Sequence, residues 1–144
     1  MNGETGKDHH QDTKTPRKDL SAKEEEVAAL IVDAAIRVHR ALGPGLLESV
    51  YEACLTYELR RRGLRVETQV PVDIRYEELT LDGGLRLDLL VEGLVIIELK
   101  ALERLLPVHD AQLLTYLKLS GRRLGFLLNF NVPAMKNGIS RFVL

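Results

Sequence analysis

Two apolar runs in the second half of the chain place the tightest limit on its fold. Leu85 to Val91 and Leu94 to Lys100 are each long enough for a strand, and Glu92-Gly93 is all that separates them. A connection this short joins neighbouring strands as an antiparallel hairpin. The chain must therefore contain a sheet in which one strand carries Asp88 and the next carries Glu98.

The length of the hairpin loop decides whether the charged side chains meet. Side chains alternate between faces along a strand, so Glu98 and Lys100 project from the same side of the sheet. A two-residue turn would set Asp88 opposite Ile97 and send the two carboxylates to opposite faces. A three-residue loop centred on Gly93, with a residue in the left-handed region, would instead set Asp88 opposite Glu98. We predict this second register, or an equivalent bulge.

The rest of the chain predicts helices and further strands around the hairpin. Helical spacing of apolar residues indicates a first helix over residues 21–41 and a second over residues 46–62, separated by Gly43-Pro44-Gly45. Pro107 opens a third helix that ends at Gly121. The other predicted elements are strands at 64–70, 72–76, 124–130 and 139–144, with a turn at Asp82-Gly83-Gly84. This order predicts an α/β or α+β fold, with a mixed sheet of about four or more strands flanked by helices.

Composition indicates one domain in a reducing compartment. The chain has 144 residues, 45% of them hydrophobic, which suits a single core. We expect a domain over residues 21–144 and a disordered tail over residues 1–20, which are polar and lack periodicity. Cys54 is the sole cysteine, and no apolar run reaches the roughly 18 residues of a membrane span. These features predict a cytoplasmic protein. Because 20 Lys and Arg nearly balance 21 Asp and Glu, any nucleic-acid surface must come from local clustering.

Two carboxylates and an ammonium group on one face of an apolar sheet indicate metal-dependent hydrolysis. Asp88 and Glu98 would repel each other, so one should have a raised pKa unless a cation joins them. Mg²⁺ or Mn²⁺ fits, because hard divalent ions prefer carboxylate and carbonyl oxygens, and the Leu99 carbonyl is a further candidate ligand. The metal would polarise a phosphoryl oxygen, while Lys100 would orient water or stabilise the growing negative charge. The predicted reaction is hydrolysis of a phosphodiester.

The same three residues have a plainer interpretation. Asp88 would start a turn, and Glu98 and Lys100 would form an ion pair on the surface of an edge strand. Taken alone, an isolated D-x9-E-x-K pattern favours this plainer interpretation.

Three segments together resemble the PD-(D/E)xK nuclease superfamily. Asp88 followed by Glu98-Leu-Lys100 resembles its split motif, although Leu87 stands where the superfamily name has proline. Gln112-Leu-Leu-Thr-Tyr116 resembles the Q-x-x-x-Y element of RecB-type exonuclease domains. Gly45-Leu-Leu-Glu48-Ser-Val-Tyr51 resembles the signature of the prokaryotic GxxExxY family. The resemblance spans about residues 28–144.

This resemblance implies a restriction-endonuclease-like core and a Mg²⁺-dependent nuclease acting on DNA, or less favourably on RNA. It implies that Asp88 and Glu98 bind the metal, that Glu48 completes the metal site, and that Lys100 assists catalysis. Tyr51 belongs to the same motif as Glu48 and is implied as a supporting residue.

The third helix offers a second set of supporting residues. His109, Gln112 and Tyr116 fall at i, i+3 and i+7, so they share a face and are predicted to grip nucleic acid. The alternative to nucleic-acid binding is that Tyr116 fills the core and Gln112 caps a loop carbonyl. His39 is a candidate metal ligand, with a histidine bound to carbonyls as its alternative. Glu52 is interpreted as a solvated neighbour on the second helix.

Basic residues and partners complete the expectations. Candidates for substrate approach are Arg60, Arg61, Arg62, Arg104, Lys118, Arg122 and Arg123. Two other functions stay open: an inactive nucleic-acid-binding module on a nuclease fold, and a protein-interaction subunit whose edge strand pairs with a partner or in a homodimer.

Overall fold

The structure, a computed structural model, describes residues 19–144. This part of the chain begins with two helices. Helix α1 spans Ala22–Leu42 and helix α2 spans Glu48–Arg61. Ser21 caps α1: its Oγ accepts the Glu24 N–H at 3.0 Å, and the Glu24 carboxylate accepts the Ser21 N–H at 2.8 Å. Both predicted helices are confirmed, while most of the predicted tail lies outside the described residues.

Five strands form one mixed sheet in the order β1-β2-β3-β4-β5. β3 and β4 are parallel, and every other neighbouring pair is antiparallel. A parallel pair needs a crossover, and helix α3 at Pro107–Ser120 provides it. The strands span Val66–Tyr76 (β1), Leu79–Val91 (β2), Val95–Lys100 (β3), Leu124–Asn129 (β4) and Ile139–Val143 (β5), with a 3-10 turn at Met135–Gly138 before β5.

The sheet separates two apolar layers. On one face, α1 and α2 cover alternate residues of β3 and β4, including Ile97 and Phe126. On the other face, α3 inserts Leu113 and Leu117 against Ile96 and its neighbours. Helices on both faces explain why β3 and β4 are buried along nearly their whole length. The α/β fold with a mixed sheet is confirmed.

Two details of the first hairpin differ from the prediction. β1 is one strand of 11 residues, not two short ones. The predicted turn at Asp82-Gly83-Gly84 is wrong, because these residues form a bulge inside β2, opposite Asp73. The Gly83 N–H donates to Oδ1 of Asp73 at 2.9 Å, and Gly83 has a φ of 62°, which glycine adopts without strain. The chain reverses instead at Glu77 and Glu78.

None of the helices in residues 19–144 is long and apolar enough to cross a membrane.

Candidate active site

The loop between β2 and β3 sets the register that brings Asp88 and Glu98 together. Val91 pairs with Val95, which leaves residues 92–94 as a three-residue loop. The first two loop residues have φ angles of 55° and 66°. The second is a glycine, which is suited to such angles, whereas the first is a glutamate. The predicted three-residue loop with left-handed residues is confirmed.

Beyond Leu89 and Ile97 the β2–β3 ladder ends, and side chains take over from backbone groups. The Asp88 N–H donates to Oε2 of Glu98 at 3.0 Å, and the Leu99 N–H donates to Oδ2 of Asp88 at 2.9 Å. Each carboxylate is therefore fixed by a backbone donor of the opposite strand. The register that would have separated them, with Asp88 opposite Ile97, is excluded because Ile97 pairs with Leu89.

The side chains of β2 switch faces of the sheet around Asp88, and this switch explains why the β2–β3 ladder ends there. Leu89 packs toward α1 and α2, whereas Leu87, two residues earlier, packs toward α3. In a regular strand these two side chains would share a face. Gln69 lies opposite Asp88 in the β1–β2 register and has a φ of 53°, so the alternation breaks on both strands at the same level. Asp88 occupies the bend.

The electrostatics of this bend favour a cation. The Glu98 side chain is buried, with 5% of its surface exposed. Burial raises the pKa of Glu98 to about 8, and the Asp88 carboxylate adds to the increase while Lys100 opposes it. Two carboxylates held this close do not both ionise readily near neutral pH unless positive charge joins them.

Helix α2 brings two further carboxylates toward Asp88. Partial burial raises the pKa of Glu48, and Asp88 raises it further while Lys100 lowers it. One turn later, Glu52 is half-buried and accepts hydrogen bonds from Nε2 of Gln69 at 3.1 and 3.2 Å. Burial raises the pKa of Glu52, with the Gln69 hydrogen bond opposing and Asp88 adding. Glu52 is therefore tied to Gln69 of β1 at the surface, which the interpretation as a solvated neighbour did not include.

Tyr51 acts on the start of α2. Its buried ring stacks on Phe130 with 4.6 Å between centroids. Its hydroxyl donates to the Gly43 carbonyl at 2.6 Å and accepts the Leu46 N–H at 3.1 Å. These contacts tie down the Gly-Pro-Gly loop, from which α2 begins at Glu48. Tyr51 therefore supports the site by holding the segment that carries Glu48.

Helix α3 contributes Tyr116 and Gln112. Burial raises the pKa of Tyr116, Glu98 and then Asp88 add to the increase, and a side-chain hydrogen bond from Gln112 lowers it. Tyr116 is thus close enough to the two carboxylates to feel their charge, and Gln112 contacts Tyr116. His109 does not join them by any contact in the structure: its Nδ1 accepts the N–H of the residue that precedes α3, at 2.9 Å. This bond satisfies one of the free donors at the helix start.

His39 is held elsewhere. It is 7% exposed, and its Nε2 bonds to the Val132 carbonyl at 2.7 Å, which ties α1 to the segment after β4. This contact agrees with the alternative of a histidine bound to a carbonyl.

A family model described as the PD-(D/E)XK nuclease superfamily matches residues 25–142. This chain belongs to the PD-(D/E)XK nuclease superfamily. The match runs from α1 to β5 and includes Asp88, Glu98 and Lys100. Comparisons with curated proteins and with solved structures gave no match.

Members of the PD-(D/E)XK superfamily are typically metal-dependent, and the oxygen donors of this chain suit a hard divalent cation. Within residues 19–144, no three Asp, Glu, His or Cys side chains are grouped closely enough to hold a metal ion. Asp88 and Glu98 nevertheless meet in one place, and the raised pKa of Glu98 shows that its negative charge is poorly compensated. These two residues would hold the cation.

Asn129 is a buried polar residue that the sequence pattern did not single out. Its Oδ1 accepts the N–H groups of Leu102 at 3.0 Å and Asn131 at 3.2 Å, and its Nδ2 donates to the Leu102 carbonyl at 2.9 Å. In the parallel register Asn129 pairs with Lys100 of the nuclease motif. A polar residue ending the otherwise apolar strand Leu-Gly-Phe-Leu-Leu-Asn was the available signal.

Most of the predicted basic residues are engaged within the fold. Arg61 and Arg62 bond to Glu58, and Arg62 also bonds to Asp33. The side chain of Arg60 donates to the backbone of β1 at 2.7 Å. Arg122 and Arg123 lie before β4, at the end of the sheet away from Lys100, and donate to the backbone carbonyls of Gly93, Ser120, Leu144 and Asp19. These five residues therefore already have hydrogen-bond or ion-pair partners within the fold.

Proposed function

We propose that the chain is a Mg²⁺-dependent nuclease that hydrolyses phosphodiester bonds of DNA, with RNA as the alternative substrate and Mn²⁺ as a substitute metal. The observation that carries the proposal is the reciprocal locking of Asp88 and Glu98 at the end of the β2–β3 ladder, beside Lys100. A surface ion pair on an edge strand does not account for it, because Glu98 is buried and β3 lies in the middle of the sheet.

Asp88 and Glu98 serve as the metal ligands of this proposal, with the Leu99 carbonyl as a further ligand. Glu48 is proposed as an additional ligand that moves toward them when the metal binds, because the structure does not group it with both carboxylates. A bound divalent cation supplies Lewis-acid activation of the phosphoryl oxygen and of water. Lys100 is on the same face of β3 as Glu98, where its ammonium group stabilises negative charge on the phosphoryl oxygens or orients the attacking water.

The third helix supports substrate binding in this proposal. Tyr116 is near both carboxylates and Gln112 bonds to it, so a phenol and an amide are available to a phosphate or a base next to the scissile bond. His109 is a weaker candidate for the same contact, since its Nδ1 is already occupied at the helix start.

The finer assignments rest on the motifs. Gly45, Glu48 and Tyr51 support membership of the prokaryotic GxxExxY branch, and Gln112 with Tyr116 supports a RecB-type relationship. A single domain over residues 21–144, a cytoplasmic location and nucleic acid as the partner complete the proposal. β1 is an edge strand, so a homodimer or a protein partner would pair there.

Cleavage assays with matched variants test the proposal. Labelled single-stranded and duplex DNA and RNA are incubated with the protein in Mg²⁺, Mn²⁺ or EDTA. We expect metal-dependent cleavage that Asp88→Asn and Lys100→Gln each reduce at least about 100-fold. Asp82→Asn, on the exposed bulge of β2, and Lys136→Gln, on the exposed 3-10 turn, are the controls and should keep wild-type rates.

Cleavage that persists unchanged in Asp88→Asn would show that the activity is not from this site. No cleavage of any substrate, together with no rise in the unfolding temperature on adding Mg²⁺ or Mn²⁺, would refute the proposal. That result would favour an inactive binding or interaction module on the nuclease fold.

A further inference from the structure

Strand β4 is apolar until its last residue. Residues 124–128 are buried between the two helical layers, and Asn129, only 3% exposed, then ends the strand. Parallel pairing aligns Glu98 with Leu127 and Lys100 with Asn129. Leu127 packs on the α3 side, so Asn129 is also on that side and is the lateral neighbour of Lys100.

The Asn129 side chain closes a ring of hydrogen bonds with the backbone just after Lys100. It accepts the Leu102 N–H at 3.0 Å and donates to the Leu102 carbonyl at 2.9 Å. The Lys100 carbonyl accepts the Phe130 N–H at 2.9 Å. The chain is therefore held both at Lys100 and two residues beyond it, by Phe130 just after β4 and by Asn129 at the end of β4.

An apolar side chain at this position would pack as the rest of β4 does, but it would leave the partly buried N–H and carbonyl groups of Leu102 without this partner. Burying an amide is unfavourable unless all its hydrogen bonds are made, and here Asn129 makes three. The amide thus determines the path of the loop over residues 101–106, which leads from Lys100 to α3 and its residues Gln112 and Tyr116.

We infer that Asn129 is a positioning residue: it fixes the peptide after Lys100 and so aims the Lys100 ammonium group at the scissile phosphate. This inference rests on the proposed nuclease function. Asn129 itself does not contact the substrate; it acts only through Lys100 and the loop that follows.

Kinetics of Asn129 variants test this role. In Asn129→Leu, which removes all three hydrogen bonds, we expect kcat to fall about 100-fold, the size of effect that a small misplacement of a catalytic group produces. KM and the affinity for Mn²⁺ should stay within about threefold, because Asp88 and Glu98 are held by other contacts. Asn129→Asp keeps the acceptor and loses the donor, so its loss should be smaller. Asn131→Leu is the control, since Asn131 contributes only its backbone N–H.

A double-mutant cycle separates positioning from a general loss of structure. If Asn129 acts through Lys100, adding Asn129→Leu to Lys100→Gln should lower the residual kcat by less than about threefold. A further 100-fold loss in that background would overturn the inference. A folded Asn129→Leu variant with wild-type kcat would do the same, and Asn129→Asp takes its place in the cycle if Asn129→Leu does not fold.

A readout independent of turnover distinguishes this failure from failure of the proposed function. With ¹⁵Nζ-labelled lysine, the Lys100 resonance is expected to move in Asn129→Leu and to stay in place in Asn131→Leu, two substitutions that add no charge. An inactive wild-type protein would refute the nuclease proposal. An unmoved Lys100 resonance would refute the role of Asn129, whether or not the protein is active.

Discussion

Replacing Glu98 by glutamine should stabilise the metal-free protein. Burial, and secondly the Asp88 carboxylate, raise the pKa of Glu98 to about 8. Glutamine has the same shape: its oxygen can accept the Asp88 N–H, and its amide can donate to the Asp88 carboxylate. The substitution therefore removes the unfavourable charge and keeps the hydrogen bond that orients the side chain.

The size of the effect follows from the pKa difference. A group whose pKa is higher in the folded state than in the unfolded state contributes stability below the unfolded value and loses it as the pH rises through the folded value. For Glu98 that window runs from 4.5 to about 8. Within it, wild-type stability should fall by about 1.4 kcal/mol per pH unit, to an upper limit of about 5 kcal/mol. The glutamine variant has no such loss.

Urea unfolding in EDTA between pH 5 and pH 8.5, followed by circular dichroism, measures the difference. We expect Glu98→Gln to exceed wild type by less than about 1 kcal/mol at pH 5 and by about 3–5 kcal/mol at pH 8.5. Glu67→Gln, at an exposed position of β1, should follow the wild-type curve. Mg²⁺ should stabilise wild type and not Glu98→Gln, which should be inactive. Parallel curves for wild type and Glu98→Gln over this pH range would refute the reasoning.

Three other substitutions have defined outcomes. Tyr51→Phe removes both hydroxyl bonds to residues 43–46 and should lower the free energy of unfolding by about 1–2 kcal/mol in urea, with unchanged stability as the contradicting result. Arg60→Ala should leave the salt dependence of DNA binding unchanged, because its side chain already bonds to β1; a shallower slope of log Kd against log salt would show that it contacts phosphate. Gly138→Ala would place a Cβ 2.0 Å from the Asn129 carbonyl oxygen and should lower the free energy of unfolding by at least about 1–3 kcal/mol, measured by thermal unfolding. An unchanged unfolding temperature would show that the backbone adjusts freely.

The hairpin register could be predicted because a few local residues determine it. Glu92 and Gly93 are where the sequence indicated a left-handed loop, and a three-residue loop leaves one register for Asp88 and Glu98. The helix ends were similarly local: Ser21 caps α1, and Gly121, with a φ of 75°, ends α3.

The residues that the sequence did not reveal depend on contacts distant along the chain. Asp-Gly-Gly is equally typical of a turn and of a bulge, and the bulge is selected here by pairing with Asp73 on β1. Glu52 joins the site because Gln69, 17 positions later, turns its side chain toward α2. Asn129 is 27 residues from the Leu102 that it holds. The spacing of residues within one helix or strand does not indicate contacts between residues so far apart along the chain.

The way the site is built determines which variants report on chemistry. At the bend the β2–β3 ladder has ended, and the Asp88 and Leu99 N–H groups donate to the two carboxylates instead. An alanine at Asp88 or Glu98 would remove the metal ligand and also leave a partly buried donor unsatisfied, at a cost of about 1–3 kcal/mol. Loss of activity in such a variant would combine catalysis with folding. Asparagine and glutamine keep the acceptor and change only the charge, so they isolate the contribution of the carboxylates to metal binding.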